Sequence, residues 1–270
     1  FIKFFIIKDY IFNIYMGLYF SYFLDESVEF NKYGWNRDSP DYRDKYIHYN
    51  LLLDPENLDL RHKMPGIYNQ YSIGSSVANA VAAAYEYNQI QLDDNHIFIP
   101  SRLFIYYNTR KIENTIMYDA GAQIRNTIKS INIHGICSET KWNYNPYNLT
   151  VKPLDECYRQ VPSIKYYRLH QNIESLKGSL SHGIPFIFGF SVYDNFEKIT
   201  KNNNTLSIPN KKDTYLGGHC GLCVGYDDSK EIFIIRNSFG LEWGDQGHFN
   251  MKYEYILNSN LCSDLWVITF

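Results

Sequence analysis

The order of apolar and polar residues divides the chain into a helical part and a later part rich in strands. After Gly74, the run SVANAVAAAYEYNQ is dense in alanine and other strong helix formers, so a buried helix is predicted to begin near Ser76. The apolar residues on one face of this helix are Val77, Ala80, Val81, Ala84 and Tyr85. Further helical stretches are predicted over 100–111, over 120–135 with a glycine at the end, and over 172–183.

Beyond Gly183 the pattern changes to short runs rich in β-branched and aromatic residues, separated by Gly, Asp and Asn turns. These runs cover 184–193, 219–226, 231–238, 248–253 and 264–270. Helices first and strands later predict an α+β protein with two lobes. A cleft between two lobes is a common place for a functional site.

The chain before Pro65 shows no sustained apolar period. Residues 1–24 are apolar and aromatic, but charged and polar residues interrupt them, so no run reaches the roughly 18 to 20 residues of a spanning helix. Two interpretations stay open: an apolar leader such as a signal peptide, or an upstream translation with Met16 as the true start. Residues 25–58 form an extended polar lead-in, and one hypothesis is that residues 33–50 fold back across the cleft.

Composition and cysteine content limit the choice of partner and compartment. The formal net charge of -3 provides no basic surface of the kind that nucleic-acid binding requires, so no nucleic-acid partner is predicted. Five cysteines are too few and too scattered for the disulfide framework of a secreted domain, which favours a reducing compartment. Cys220 and Cys223 form a lone C-x-x-C without a second ligand pair, and we interpret them as small residues of a buried strand rather than a metal or redox site.

Three separated segments carry residue types that can act together. Gln70 and Ser76 lie at a loop-to-helix junction, His219 follows a Gly-Gly pair, and Asn237 ends a later strand. A nucleophile at a helix N-terminus benefits from the helix dipole, a histidine can act as its base, and an amide can orient the ring. Taken singly, each residue is better explained as a helix cap, a core histidine or a turn former.

Their local context resembles the papain and cathepsin family of cysteine peptidases. The run NQYSIGSSVANAVAAAYEY is similar to the active-site helix of that family, and GGHCGLCVGYDD is similar to the segment that carries its histidine. The run RNSFGLEWGDQGHFNM resembles the segment that carries its asparagine. The sequence PSRLFIYYNTRKIE is more similar to a microbial or viral branch of the family than to lysosomal cathepsins. The resemblance extends from residue 59 to the C-terminus.

The resemblance implies roles for these residues. Gln70 takes the position of the oxyanion-hole glutamine, Ser76 that of the nucleophile, His219 that of the base and Asn237 that of the ring-orienting amide. The residues that the resemblance places along the substrate are Gly74, Ser75, Gly121 and Gly218, with Gly121 pairing its backbone with an extended polypeptide.

The family also implies a fold and its boundaries. It predicts a peptidase domain over 59–270, with a helical lobe over about 66–150, an antiparallel β-barrel-like lobe over about 151–270 and the active-site cleft between them. No cofactor or metal is implied. A monomer is expected, in an intracellular or virion-associated setting, with secretion as the alternative if residues 1–24 are a signal.

The chain departs from the family at the nucleophile, where serine replaces cysteine. A cysteine there works as a thiolate paired with imidazolium, and a serine hydroxyl cannot ionise in that way near neutral pH. Three interpretations stay open: an inactivating change introduced into an active cysteine peptidase, a natural peptide-binding homologue with hydrolysis weakened or lost, or a working serine nucleophile assisted by His219. A non-catalytic structural or virion component is the alternative of another class. Milder departures are Tyr71, Val77 and Phe239.

Overall fold

A computed structural model describes residues 30–51, 55–92, 97–158 and 164–270. The predicted leader, residues 1–24, and the first residues of the lead-in lie outside these ranges. Within the described parts of the chain, no helix is both long and apolar enough to cross a membrane.

The described helices fall where the apolar pattern predicts them. They are α1 (Ser76–Gln91), α2 (Arg102–Ile112), α3 (Ile124–His134), α4 (Ile173–Ser181) and a short α5 (Tyr253–Leu257). No helix was predicted at α5, which begins at the last residue of a predicted strand. The side chain of Ser101 caps α2 by accepting from Phe104 N, and Asn172 caps α4. α1 is buried on nearly all sides because its alanines allow neighbouring elements to approach closely.

The strands form one large open sheet and a small pair. The strands are β1 (Trp35–Asn36), β2 (Asn57–Asp59), β3 (Ala122–Gln123), β4 (Lys165–Arg168), β5 (Phe186–Tyr193), β6 (Thr205–Leu206), β7 (Tyr215–Asp227), β8 (Ile232–Arg236), β9 (His248–Lys252) and β10 (Cys262–Thr269). The large sheet has the order β4-β10-β5-β7-β8-β9-β6, with β2 on β7, and its pairs are antiparallel except β6 with β9. The predicted α+β class is confirmed, and the sheet is open rather than closed into a barrel.

The lead-in is held by polar contacts to elements of both the helical and the strand-rich part of the chain. Buried Asp38 accepts hydrogen bonds from the backbone N–H of Arg125 on α3 at 3.1 Å and from the indole of Trp266 on β10 at 2.8 Å. Its carboxylate also pairs with Arg168 on β4 at 3.1 Å. Residues 37–49 therefore connect α3 with β4 and β10, although their sequence is polar and loop-like.

All five cysteines are buried and unpaired. Cys220 and Cys223 lie on β7, the long central strand of the sheet, where they pack as small core residues. Burial raises the pKa of both thiols well above the ordinary value. These two thiols are therefore protonated and inert at neutral pH.

Candidate active site

The loop before α1 is held by the side chain of Gln70. Its Oε1 accepts from the hydroxyl of Ser238 at 2.6 Å, and its Nε2 donates to the carbonyl of Ile73 at 2.9 Å. Ser75, the residue before the helix, bonds the hydroxyl of Tyr144 at 2.6 Å. Ser76 is the first residue of α1, so its backbone N–H belongs to the unpaired donors at a helix N-terminus.

His219 and Asn237 form a buried pair on neighbouring chain segments. His219 lies in β7 and Asn237 directly follows β8, and the ring Nε2 lies 2.8 Å from the amide Oδ1 of Asn237. Because the amide oxygen also accepts from Ser238 N at 2.8 Å, it is fixed as an acceptor and the ring Nε2 donates to it. The ring of Phe239 covers the histidine with centroids 4.9 Å apart. The tautomer that results leaves Nδ1 as the free base.

The hydroxyl of Ser76 and Nδ1 of His219 are both buried without a hydrogen-bond partner. They are therefore not hydrogen-bonded to each other, although the rest of the site is ordered around them. A hydroxyl oxygen reaches less far than a thiol sulfur, whose hydrogen bonds extend to longer distances. Ser76 therefore lacks the hydrogen bond through which a serine passes its proton directly to the ring during attack.

Burial keeps His219 neutral. The ring has no exposed surface, and this burial lowers its pKa to about 4, against a smaller opposing effect of the Asn237 hydrogen bond. The ammonium group of Lys32 lowers the pKa further, while the carboxylate of Glu197 raises it.

A short segment of the lead-in, residues 31–36, passes over this site, and we call it the strap. The carbonyl of Lys32 accepts a hydrogen bond from Gln70 Nε2 at 2.9 Å. The carbonyl of Gly34 accepts from Ala122 N at 2.7 Å, and β1 then pairs in parallel with β3. A Cβ added to Gly34 would lie 1.8 Å from the carbonyl oxygen of Gly74, so only glycine fits there. The strap therefore meets the site through its main chain.

Side chains of the strap also pack over His219 and its surroundings. The ring of Tyr33 meets the His219 ring edge-on with centroids 5.9 Å apart, and its hydroxyl bonds Glu197. Lys32 Nζ pairs with the same carboxylate at 3.2 Å. Trp35 is buried against two glycines, Gly189 and Gly218, because neither has a side chain to exclude the indole.

The structure brings together the residues predicted from the sequence. Gln70 donates to the Lys32 carbonyl of the strap, and Gly74 and Gly218 both adjoin Gly34. Tyr33 packs on His219, which bonds Asn237, and Ser76 begins α1 two residues after Gly74. Gly121 has φ 72° and adjoins Gly34, but its N–H is bonded to the Tyr106 hydroxyl, and Ala122 makes the hydrogen bond to the strap.

The three milder departures from the family occupy separate positions around the site. Val77 is fully buried in α1, Phe239 covers His219, and Tyr71 is mostly exposed with φ 54°. Tyr71 thus adopts a backbone conformation that favours glycine. Glycine is the residue that most members of the family resembled by the sequence have at this position.

Sequence reasoning missed three residues that contact the site. Trp35 and Glu197 meet it through the strap, and Asp119 binds the Gly74 amide at 2.9 Å. Each acts on a partner at least 45 residues away in the chain, so no local spacing marks them.

The sequence is similar to known proteases over most of its length. The sequence model described as "Papain family cysteine protease" matches residues 54–264. An uncharacterized peptidase C1-like protein of Acanthamoeba polyphaga mimivirus is 41% identical over 213 residues, covering 74% of this chain and 68% of that protein. Cysteine proteinase 2 of Entamoeba histolytica is 28% identical over 132 residues, so the match spans only 40% of that relative.

Solved structures show the same fold. The crystal structure of xylellain, a cysteine protease from Xylella fastidiosa, superposes with a TM-score of 0.81 and 41% identity, covering 88% of this chain and 96% of that one. Digestive procathepsin L 3 of Tenebrio molitor superposes with a TM-score of 0.66 at 19% identity, covering 84% and 75%, and this likeness concerns the fold alone.

Proposed function

Because the chain belongs to the papain family of cysteine proteases, we propose that its cleft binds extended polypeptide and that its peptide hydrolysis is strongly weakened by Ser76. In this proposal Gln70 and the N-terminus of α1 form the oxyanion hole, His219 is the base and Asn237 orients the ring. The glycines at 74, 121 and 218, with Ser75, border the bound polypeptide.

The observation that carries the proposal is the pair of unpartnered atoms, Ser76 Oγ and His219 Nδ1, beside an ordered His219–Asn237 pair. A cysteine at position 76 would transfer its proton to Nδ1 and attack as a thiolate. A serine must lose its proton during the attack itself, which needs the hydrogen bond that is missing. The same missing hydrogen bond argues against a working serine nucleophile.

Polypeptide binding is supported by the strap. It is itself an extended polypeptide, and it uses main-chain hydrogen bonds to Ala122 and Gln70 that do not depend on its side chains. Another polypeptide can use the same donors once the strap has moved. The retained Gln70, His219 and Asn237 argue against a purely structural component, because such a role places no demand on these three side chains.

The five buried unpaired cysteines support reducing surroundings. We also propose that the protein acts as a monomer.

The test is the Ser76→Cys variant. We expect it to hydrolyse unstructured peptides and to react with a thiol-directed epoxide, and we expect His219→Ala in the same background to abolish hydrolysis. Both are measured with and without Gly34→Ala, because the strap must leave before a substrate can enter. Calorimetry with peptides on the unaltered Ser76 chain carrying Gly34→Ala tests binding without chemistry.

A folded Ser76→Cys, Gly34→Ala variant that neither cleaves peptides nor reacts with the epoxide would disprove the catalytic part. Absence of heat with every peptide of a diverse library would disprove the binding part. Efficient hydrolysis by the unaltered serine chain would show that Ser76 is a working nucleophile.

A further inference from the structure

Asp119 lies outside the predicted site, yet its carboxylate contacts the loop that leads to Ser76. Both carboxylate oxygens accept from Gly74 N, at 2.9 and 3.1 Å. Oδ1 also accepts from the hydroxyl of Tyr106 at 2.7 Å, and Oδ2 accepts from Asn31 N in the strap at 3.0 Å. The side chain is buried, with 7% of its surface exposed.

The bonds from Gly74 fix the loop from the side opposite Gln70. Gln70 holds the carbonyl of Ile73, and Asp119 holds the amide of the next residue. The direction of the peptide between Ile73 and Gly74 is therefore set from both ends. Hydrogen bonds to a charged acceptor in a buried place are roughly twice as strong as neutral ones, so this anchor is stiff.

Tyr106 extends the same network to the segment that leads into β3. Its hydroxyl donates to Asp119 and accepts from Gly121 N at 2.9 Å. Gly121 precedes Ala122, which bonds the strap main chain. One carboxylate thus sets the relative position of the loop before Ser76 and the strand edge that pairs with polypeptide.

We propose that Asp119 is a positioning residue for the oxyanion hole, which rests on the proposed function above. Asp119 acts through Gly74 and does not touch the reacting atoms. Its loss lets the loop from Gln70 to Ser76 move, so that the Gln70 amide and the Ser76 N–H no longer converge on one oxygen. Such donors act mainly in the transition state, so their displacement lowers kcat more than it changes KM.

The first measurement needs no catalysis. Hydrogen exchange followed by mass spectrometry is measured on the Ser76 chain and on Asp119→Ala, over peptides that contain residues 72–76. Asp38→Ala is the matched control, because Asp38 is buried to the same 7% and accepts a backbone N–H from α3 rather than from the loop before Ser76. We expect exchange at 72–76 to rise at least about tenfold in Asp119→Ala relative to the control. Equal exchange in the two variants overturns the proposal.

The second measurement uses the Ser76→Cys background. We expect Asp119→Ala to lower kcat by about 10- to 100-fold with KM changed less than about threefold, since removal of an oxyanion donor costs about 100- to 1000-fold. Asp119→Asn retains one acceptor oxygen, so its kcat is expected to lie between that of Ser76→Cys alone and that of Asp119→Ala. Asn31→Pro removes the bond from the strap to Asp119 and leaves those from Gly74. A kcat loss in Asn31→Pro equal to that in Asp119→Ala assigns the effect to the strap and overturns the proposal.

The outcomes separate this proposal from the proposed function. If Ser76→Cys is inert both with and without Gly34→Ala, catalysis in the family sense is refuted, and the exchange measurement alone decides whether Asp119 holds the loop. If Ser76→Cys is active and Asp119→Ala has an unchanged kcat, Asp119 is not a positioning residue. If Asp119→Ala does not fold, both measurements are made on Asp119→Asn with Asp38→Asn as the control. Faster exchange at 72–76 than in that control and a lowered kcat are then expected, and no difference in either overturns the proposal.

Discussion

Acidification is expected to open the strap through His219. The pKa of this ring is about 4 under the strap, against an ordinary value of 6.5. A group with a depressed pKa in the closed form favours that form above pH 6.5, and the preference is lost as the pH falls from 6.5 towards 4. Opening therefore becomes easier in mild acid.

The size of the effect follows from the two pKa values. If release of the strap restores the ordinary pKa of 6.5, the ratio of open to closed protein rises up to about 30-fold between pH 7.5 and pH 5, or about 2 kcal/mol. This is an upper limit, because Phe190, Phe196 and Phe239 stay against the ring after Tyr33 has left. Glu197 acts in a separate window: the pKa of its carboxyl is already lowered, so its protonation adds to opening only below about pH 4.5.

The assay is hydrogen exchange of the peptide that contains residues 31–36, measured from pH 8 to pH 5 and corrected for the intrinsic exchange rate. The opening constant is expected to rise as the pH falls in the unaltered chain and to stay flat in His219→Gln, whose side chain does not titrate. Glu197→Gln is expected to keep the rise between pH 6.5 and pH 5. A flat profile in the unaltered chain, or an unchanged slope in His219→Gln, would refute the reasoning.

Two further predictions concern the strap and its anchor. Gly34→Ala places a methyl group 1.8 Å from the Gly74 carbonyl oxygen. Exchange at residues 31–36 is therefore expected to rise by about 5- to 150-fold, the factor for about 1 to 3 kcal/mol of steric strain; unchanged exchange would show that the strap accommodates the methyl group. Trp266→Phe removes the indole donor to buried Asp38 at 2.8 Å, and we expect the free energy of unfolding in urea to fall by about 1 to 3 kcal/mol; a loss below about 0.5 kcal/mol would mean that Asp38 is satisfied by its other partners.

The sequence was sufficient for the elements with a clear period. The alanine-rich run after Gly74 predicted α1, and Gly135 marked the end of α3, because helix propensity and helix caps are local properties. The short apolar runs predicted β5, β8 and β10 for the same reason. Residues at the site were found through resemblance, since singly they carry no distinguishing pattern.

The strap and its anchors could not be predicted in detail. Residues 33–50 read as a polar loop, but Trp35 and Asp38 are buried because their partners come from β5, β7, α3 and β10. Asp119 was missed because an acceptor for a backbone N–H 45 residues away leaves no spacing in the sequence. The hypothesis that the lead-in crosses the cleft rested on position alone, and the contacts of Lys32, Tyr33 and Gly34 now give it a geometry.

The strap is part of the same polypeptide as the site that it covers, so it behaves as a tethered competitor. A free peptide competes with a segment whose effective concentration is set by the short connection to Asp38 and does not fall on dilution. The apparent dissociation constant of any such peptide is the intrinsic constant divided by the fraction of open molecules. A weak affinity measured on the closed chain would therefore describe the strap as much as the cleft, and the chain could hold a good binding site that responds only when the strap is released.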